Sequence, residues 1–218
     1  MKLLMKTMIL TLLSAFFLGG IYFIPESGVT AQATGKLDTI EATHLAFMRE
    51  EEKLARDVYI TLYERFKGTK TPFGQIDDSE QRHTDAVAGM LHKFGEDDPN
   101  TDDTVGVFTG EYAEYFTKRY QLLIDVDSQD HPLNYTSNPL LNALYHGAFV
   151  EELDMNDIAY CPYIIMDTMG GIDEEVGCGL EYTDEEPIKQ LYNHLLDGSA
   201  NHLRAYVHAI EKVIGEGE

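Results

Sequence analysis

Basic residues are scarce in this chain. Sixteen Lys and Arg stand against 38 Asp and Glu, a formal net charge of -22 over 218 residues. A surface this acidic repels phosphate backbones and anionic lipid, so nucleic-acid binding is excluded as an expectation, while cations are drawn in. With 7 Pro and 18 Gly the chain is too poor in both for a collagen-like or low-complexity protein, and its 44% hydrophobic content is that of a globular domain. No Ser-His-Asp order, phosphate loop or dinucleotide fingerprint stands out. Long apolar runs are missing after residue 24.

The one such run, residues 8–24, follows Lys2 and Lys6 and precedes Ala31-Gln-Ala33. That is the n-region, h-region and cleavage pattern of a secretory signal, so residues 1–33 are read as a signal peptide cut after Ala33. At the short end of spanning length, the same run read as an uncleaved N-terminal anchor is the alternative, and the only expected membrane contact. Either way the globular part, residues 38–215, is expected outside the cytoplasm, periplasmic or extracellular. In that compartment the two cysteines, Cys161 and Cys178, are expected to pair, closing a Gly-rich loop and stabilising it by about 3 kcal/mol on the chain-entropy model.

The rest of the chain carries helical periodicity. Four long helices are predicted: about 38–67, 74–94, 139–160 and 184–214. A short accessory helix lies within 108–123. The acidic stretch 96–103 lacks the spacing of a calcium loop and reads as a solvated connection.

Each long helix interrupts its apolar stripe with a side chain capable of binding metal. The first runs Leu45, Met48, Glu52, Ala55, Tyr59, Leu62, Phe66 in steps of three and four; the second runs Ile76, Glu80, His83, Val87, Met90, Phe94. The third has Leu144, Ala148, Glu151, Met155, Ile158, with Asp154 one step off the stripe. The fourth has Leu191, Leu195, Gly198 or Ser199, His202, Tyr206. One such intrusion is usually a satisfied core residue. Several unpaired buried charges together would cost more than the roughly 5 to 15 kcal/mol of net stability a domain has, and a shared cation removes the conflict. Bundles that hold two metal ions place Glu and Glu-x-x-His on facing helices in this way.

The stretch Glu52-Lys-Leu-Ala55-Arg-Asp-Val-Tyr59 resembles the first metal helix of rubrerythrin-like proteins, and Ser79-Glu80-Gln-Arg-His83 resembles their second. With Glu151-Glu-Leu-Asp154 and Gly198-Ser-Ala-Asn-His202, these segments are similar to the ferritin-like family of domain of unknown function 2202, over about residues 40–213. The resemblance implies an all-α, ferritin-like four-helix bundle with a metal site, and no settled activity. It is incomplete in the fourth helix, where Ser199 stands three residues before His202 in place of a Glu. Asp154 is expected to substitute, because rubrerythrin-like proteins carry a second acid at that offset.

The expected ligands are Glu52, Glu80, His83, Glu151, Asp154 and His202, holding one or two ions of iron or manganese, with zinc able to compete. The expected activity is reaction with dioxygen or peroxide. Without a rubredoxin-like Cys-x-x-Cys, that activity needs an external reductant. The alternative is a non-enzymatic metal-binding or metal-storing protein. The assembly expected is a homodimer. Glu50, Glu51 and Glu152 are assigned to a solvated flank, with Glu51 able to replace Glu52 if the helix is rotated by one position. His44, His92, His131, His146, His194 and His208 are assigned to the surface. Tyr59 and Tyr206 are read either as donors to the ligands or as plain buried tyrosines.

Overall fold

The computed structural model describes residues 35–172 and 177–215; the signal or anchor assigned to residues 1–33 lies outside them. The described residues form six helices and no strand: α1 (Thr39–Arg65), α2 (Phe73–Phe94), α3 (Ala113–Ile124), α4 (Pro139–Ala159), α5 (Tyr163–Met169) and α6 (Glu186–Gly215). None is long and apolar enough to cross a membrane.

Local chemistry sets the ends. Asp38 caps α1 in a reciprocal box, its carboxylate accepting from the Glu41 N–H while the Glu41 side chain accepts from the Asp38 N–H. α2 stops at Gly95, whose φ of 78° is the left-handed conformation that lets the Glu96 N–H reach back to the Leu91 carbonyl. The Asn138 side chain caps α4 ahead of Pro139 at the first helical position.

The four long helices form the bundle. α1 packs along α2 and α4 along α6, and the two pairs meet through α1 with α4 and α2 with α6. Their stripes supply the core: Leu45, Met48, Val58 and Leu62 from α1, Phe73 and Val87 from α2, Ala143 and Leu144 from α4, and Leu195 and Tyr206 from α6.

α3 and the connection before it cover the outer side of α1. From Phe47 to Tyr59 every residue of α1 is therefore buried. The charged residues there find partners in the covering layer. Lys53 donates to Asp57 at 2.5 Å and to the Thr104 carbonyl at 2.9 Å, and its ammonium lies 4.9 Å from the centre of the Phe108 ring. Arg49 pairs with Asp98 and Arg56 with Asp103, so two acids of the exposed 96–103 stretch anchor it to the bundle.

The assignment of Glu50 and Glu51 to a solvated flank is thereby corrected. Glu50 is buried and accepts the N–H groups of Thr109 and Gly110, and Glu51 is buried as well. Three of the histidines assigned to the surface are also inside. His44 is held between the Tyr192 hydroxyl at 2.7 Å and the Asp157 carbonyl at 2.8 Å, His146 contacts the Leu123 carbonyl at 2.7 Å, and the buried His131 packs against His146. His92, His194 and His208 are exposed, as expected, and Glu152 is half-buried.

Cys161 and Cys178 form a disulfide that closes a loop before the last helix. The loop contains α5, a short helix that starts after Pro162 and was not foreseen.

Candidate metal centre

The six expected ligand residues are all buried, and they come from all four long helices. Glu52 sits midway along α1, Glu80 and His83 one turn apart on α2, Glu151 and Asp154 one turn apart on α4, and His202 midway along α6. Helical spacing puts each pair on one face, and packing turns those faces inward.

Five of the six converge as two triads. Ligand atoms of Glu52, Glu80 and His83 lie within 4.8 Å of one another, and so do those of Glu80, Glu151 and His202. Glu80 belongs to both and divides its oxygens between them. Its Oε2 is 2.8 Å from His83 Nδ1, and its Oε1 is 2.7 Å from His202 Nδ1. The outer carboxylates stand further off, Glu52 Oε2 at 3.4 Å from His83 Nδ1 and Glu151 Oε2 at 3.4 Å from His202 Nδ1. The two imidazoles lie side by side, with ring centres 5.5 Å apart and planes inclined by 27°.

These distances do not describe a satisfied hydrogen-bond network. Both oxygens of Glu52, Oε1 of Glu80, Oδ1 of Asp154 and Nδ1 of His202 are buried without a hydrogen-bond partner among the described residues. His202 Nδ1 and Glu80 Oε1 approach to 2.7 Å without the alignment a hydrogen bond needs. Orphaned buried polar atoms are costly, and a cluster of them within 4.8 Å of one another is a set that a shared cation would satisfy.

Asp154 is buried beside the triads and belongs to neither. Its Oδ2 accepts a hydrogen bond from the Ser199 hydroxyl, and its Oδ1 is unpartnered. Ser199, at the position where a Glu would complete Glu-x-x-His, thus steadies the acid expected to replace that Glu. Glu151 is likewise fixed from outside, since the Tyr59 hydroxyl donates to its Oε1 at 2.6 Å and leaves Oε2 facing His202. Tyr59 is therefore a donor to a candidate ligand. Tyr206 is a buried ring against Tyr59 and Phe73, and no described residue partners its hydroxyl.

The protonation preferences express the crowding of charge. Burial pushes Glu52 up to about 8, and burial together with the Glu80 charge pushes Glu151 up to about 7. Burial and the Glu52 charge raise Asp154 well above the usual carboxylate range. Burial would raise Glu80 too, but its close contacts with His202 and His83 outweigh it and hold the group at about 2. Burial opposes charge on the imidazoles, yet contact with Glu52 and Glu80 raises His83 to about 11, and contact with Glu151 and Glu80 raises His202 to about 9. As a purely protonic cluster the site collects positive charge around a central carboxylate.

Glu51 and Asp157 form a further acidic layer that the stripe count missed. Glu51 is raised by burial and by the charges of Asp157 and Asp154. The run of three Glu at 50–52, all of them buried, was the visible signal in the sequence. Glu52 itself keeps the place in the triad, so rotation of the helix by one position is not observed.

The fold and site define an all-helical bundle with a buried carboxylate and imidazole cluster. Residues 41–164 match the family described as an uncharacterized protein domain (DUF2202), and the chain belongs to that family. It is 36% identical over 167 residues to the uncharacterized protein MJ0754 of Methanocaldococcus jannaschii, spanning 77% of this chain and 73% of that one. The crystal structure of hypothetical protein MJ0754 is similar with a TM-score of 0.64 at 32% identity, covering 88% of this chain and 87% of that one.

Proposed function

We propose that the protein is an exported, ferritin-like metal protein of rubrerythrin type, whose buried carboxylate and imidazole cluster holds two iron or manganese ions for reaction with dioxygen or peroxide. The observation that carries this is the sharing of Glu80 between two triads, with one oxygen turned to each. Charge supports two ions over one. Glu52, Glu80, Glu151 and Asp154 carry four negative charges when ionised, which two divalent ions balance and one leaves half uncompensated.

When bound, such ions supply the electrons for reduction of the oxidant. The residues of the chain do the rest. Glu80 would contribute to both positions, while Glu52 with His83 and Glu151 with His202 would hold one ion each. Tyr59 and Ser199 hold Glu151 and Asp154 in place. The enclosing helices exclude bulk water. A peroxide turnover consumes two electrons and two protons, and the electrons come from an external reductant, because the only cysteines are paired. Export rests on the residue 1–33 pattern and agrees with the disulfide.

The test is anaerobic loading with ferrous iron followed by oxygen or peroxide. Oxidant consumption with a change in the ultraviolet and visible spectrum supports the reading, and neither change removes it. A second reading, a non-enzymatic binding or storage protein, draws on Ser199: with one acid fewer, a single ion is the alternative filling. One ion per chain with no response to oxidant would favour it.

A further inference from the structure

The ligand side chains are not equally enclosed. Those of Glu52, Glu80 and Glu151 are 1%, 2% and 2% exposed, whereas His83 retains 5% and His202 10%. The cluster therefore comes nearest to solvent on its imidazole side, in the seam between α2 and α6.

Two features of α6 shape that seam. Gly198 lies against the His83 ring, and a Cβ there would fall 2.4 Å from His83 Cε1 and 2.6 Å from Nε2, but 3.7 Å from Nδ1. The ring thus turns Nδ1 to the carboxylates and packs its Cε1–Nε2 edge against the α6 backbone, in the space a side chain at position 198 would take. One turn before Gly198 stands His194, exposed, with its ring centre 5.9 Å from that of His83 in an edge-on arrangement. His194, Gly198 and His202 are spaced four and four, so they form one stripe along α6.

Resting on the metal-centre reading above, we propose that ions enter and leave along this α2/α6 seam, with His194 taking the incoming ion at the surface beside the His83 ring, on the side where His83 and His202 come nearest to solvent. The outer end offers the His194 imidazole, a donor suited to ferrous iron, cobalt or zinc rather than calcium or magnesium. The acidic surface raises the local concentration of cations, and this borderline-soft donor selects among them.

An entrance changes rates in both directions and leaves the equilibrium alone, which separates it from a ligand. The experiment follows cobalt(II) association with the metal-free protein by stopped-flow absorbance, and its dissociation by chelator competition, in the wild type, His194→Ala and His194→Phe. His194 is exposed, and circular dichroism verifies the fold of each variant. The expected result is that both rate constants fall together, by about tenfold or more, with ion count, dissociation constant and final cobalt spectrum unchanged. Unchanged rates in both variants would overturn the entrance. An altered spectrum or affinity would overturn it as well, by making His194 a resident ligand. If the wild type binds no cobalt at all, the metal centre falls and the entrance with it; normal binding with insensitive rates removes the entrance alone.

Discussion

Because Glu80 is shared, its loss has a different consequence from the loss of any neighbour. Replacing Glu52 by Gln weakens the triad with His83 and leaves Glu80, Glu151 and His202 complete. Replacing Glu80 by Gln removes a carboxylate from both. The stabilisation by a ligand present at a hundred times its dissociation constant is about 2.7 kcal/mol per site, so two ions give about 5 kcal/mol. For a domain of this size that corresponds to a rise in melting temperature of about 10 to 20 °C. With manganese(II) as the probe, the wild type should show the full rise and two ions by elemental analysis. Glu52→Gln should show about half the rise and one ion, and Glu80→Gln essentially none of either. Each variant is compared with itself, with and without manganese, so that changes in the metal-free fold cancel. If Glu80→Gln gains as much from manganese as Glu52→Gln, Glu80 is not shared and the two-ion reading fails.

Burial lowers His44 from its ordinary 6.5 to about 4. The unfolded chain therefore takes up a proton before the folded one does, and stability present above pH 6.5 is lost as pH falls toward 4, by about 3 kcal/mol from this group. Urea unfolding across that range should show the loss in the wild type relative to His44→Phe; parallel profiles would contradict it. Tyr59→Phe leaves a buried Glu151 oxygen without its donor and should cost about 1–3 kcal/mol in the same assay, with no cost expected only if the bond to Glu151 is not made. Replacing both Cys161 and Cys178 by Ser opens a loop whose ends are 17 positions apart in sequence and should cost about 3 kcal/mol while leaving the ion count unchanged, because no candidate ligand lies inside that loop. A change in ion count would show that the loop helps to hold the α4 and α6 ligands in register.

The clustering of the candidate residues was legible in the sequence for a specific reason. Glu52, Glu80, His83, Glu151 and His202 each occupy a stripe position where an apolar residue belongs, and a stripe has a period that can be counted. Asp154 lies one step off the stripe, and the structure places it correspondingly beside the triads. What could not be counted is burial on the other side of α1. Stripe counting assumes one wet face, and the chain before and within α3 covers that face, so Glu50, Glu51, Lys53 and Asp57 are inside although their spacing marks them as outside. His44 and His146 were missed for a related reason: their partners are mainly backbone carbonyls, of Asp157 and Leu123, which leave no residue signature. The helix α5 is only seven residues long, shorter than any window in which periodicity can be recognised.

From Phe47 to Tyr59 the first helix has no outer surface. Such a segment has no position at which drift is free: a larger side chain meets packed neighbours in every direction, and a lost charge strands its counterpart. A saturation scan of the gene should therefore find an unbroken intolerant block there, without the three-or-four-residue rhythm of tolerance that an ordinary amphipathic helix leaves. Relatives of this chain should diverge more slowly in that block than in the rest of the bundle.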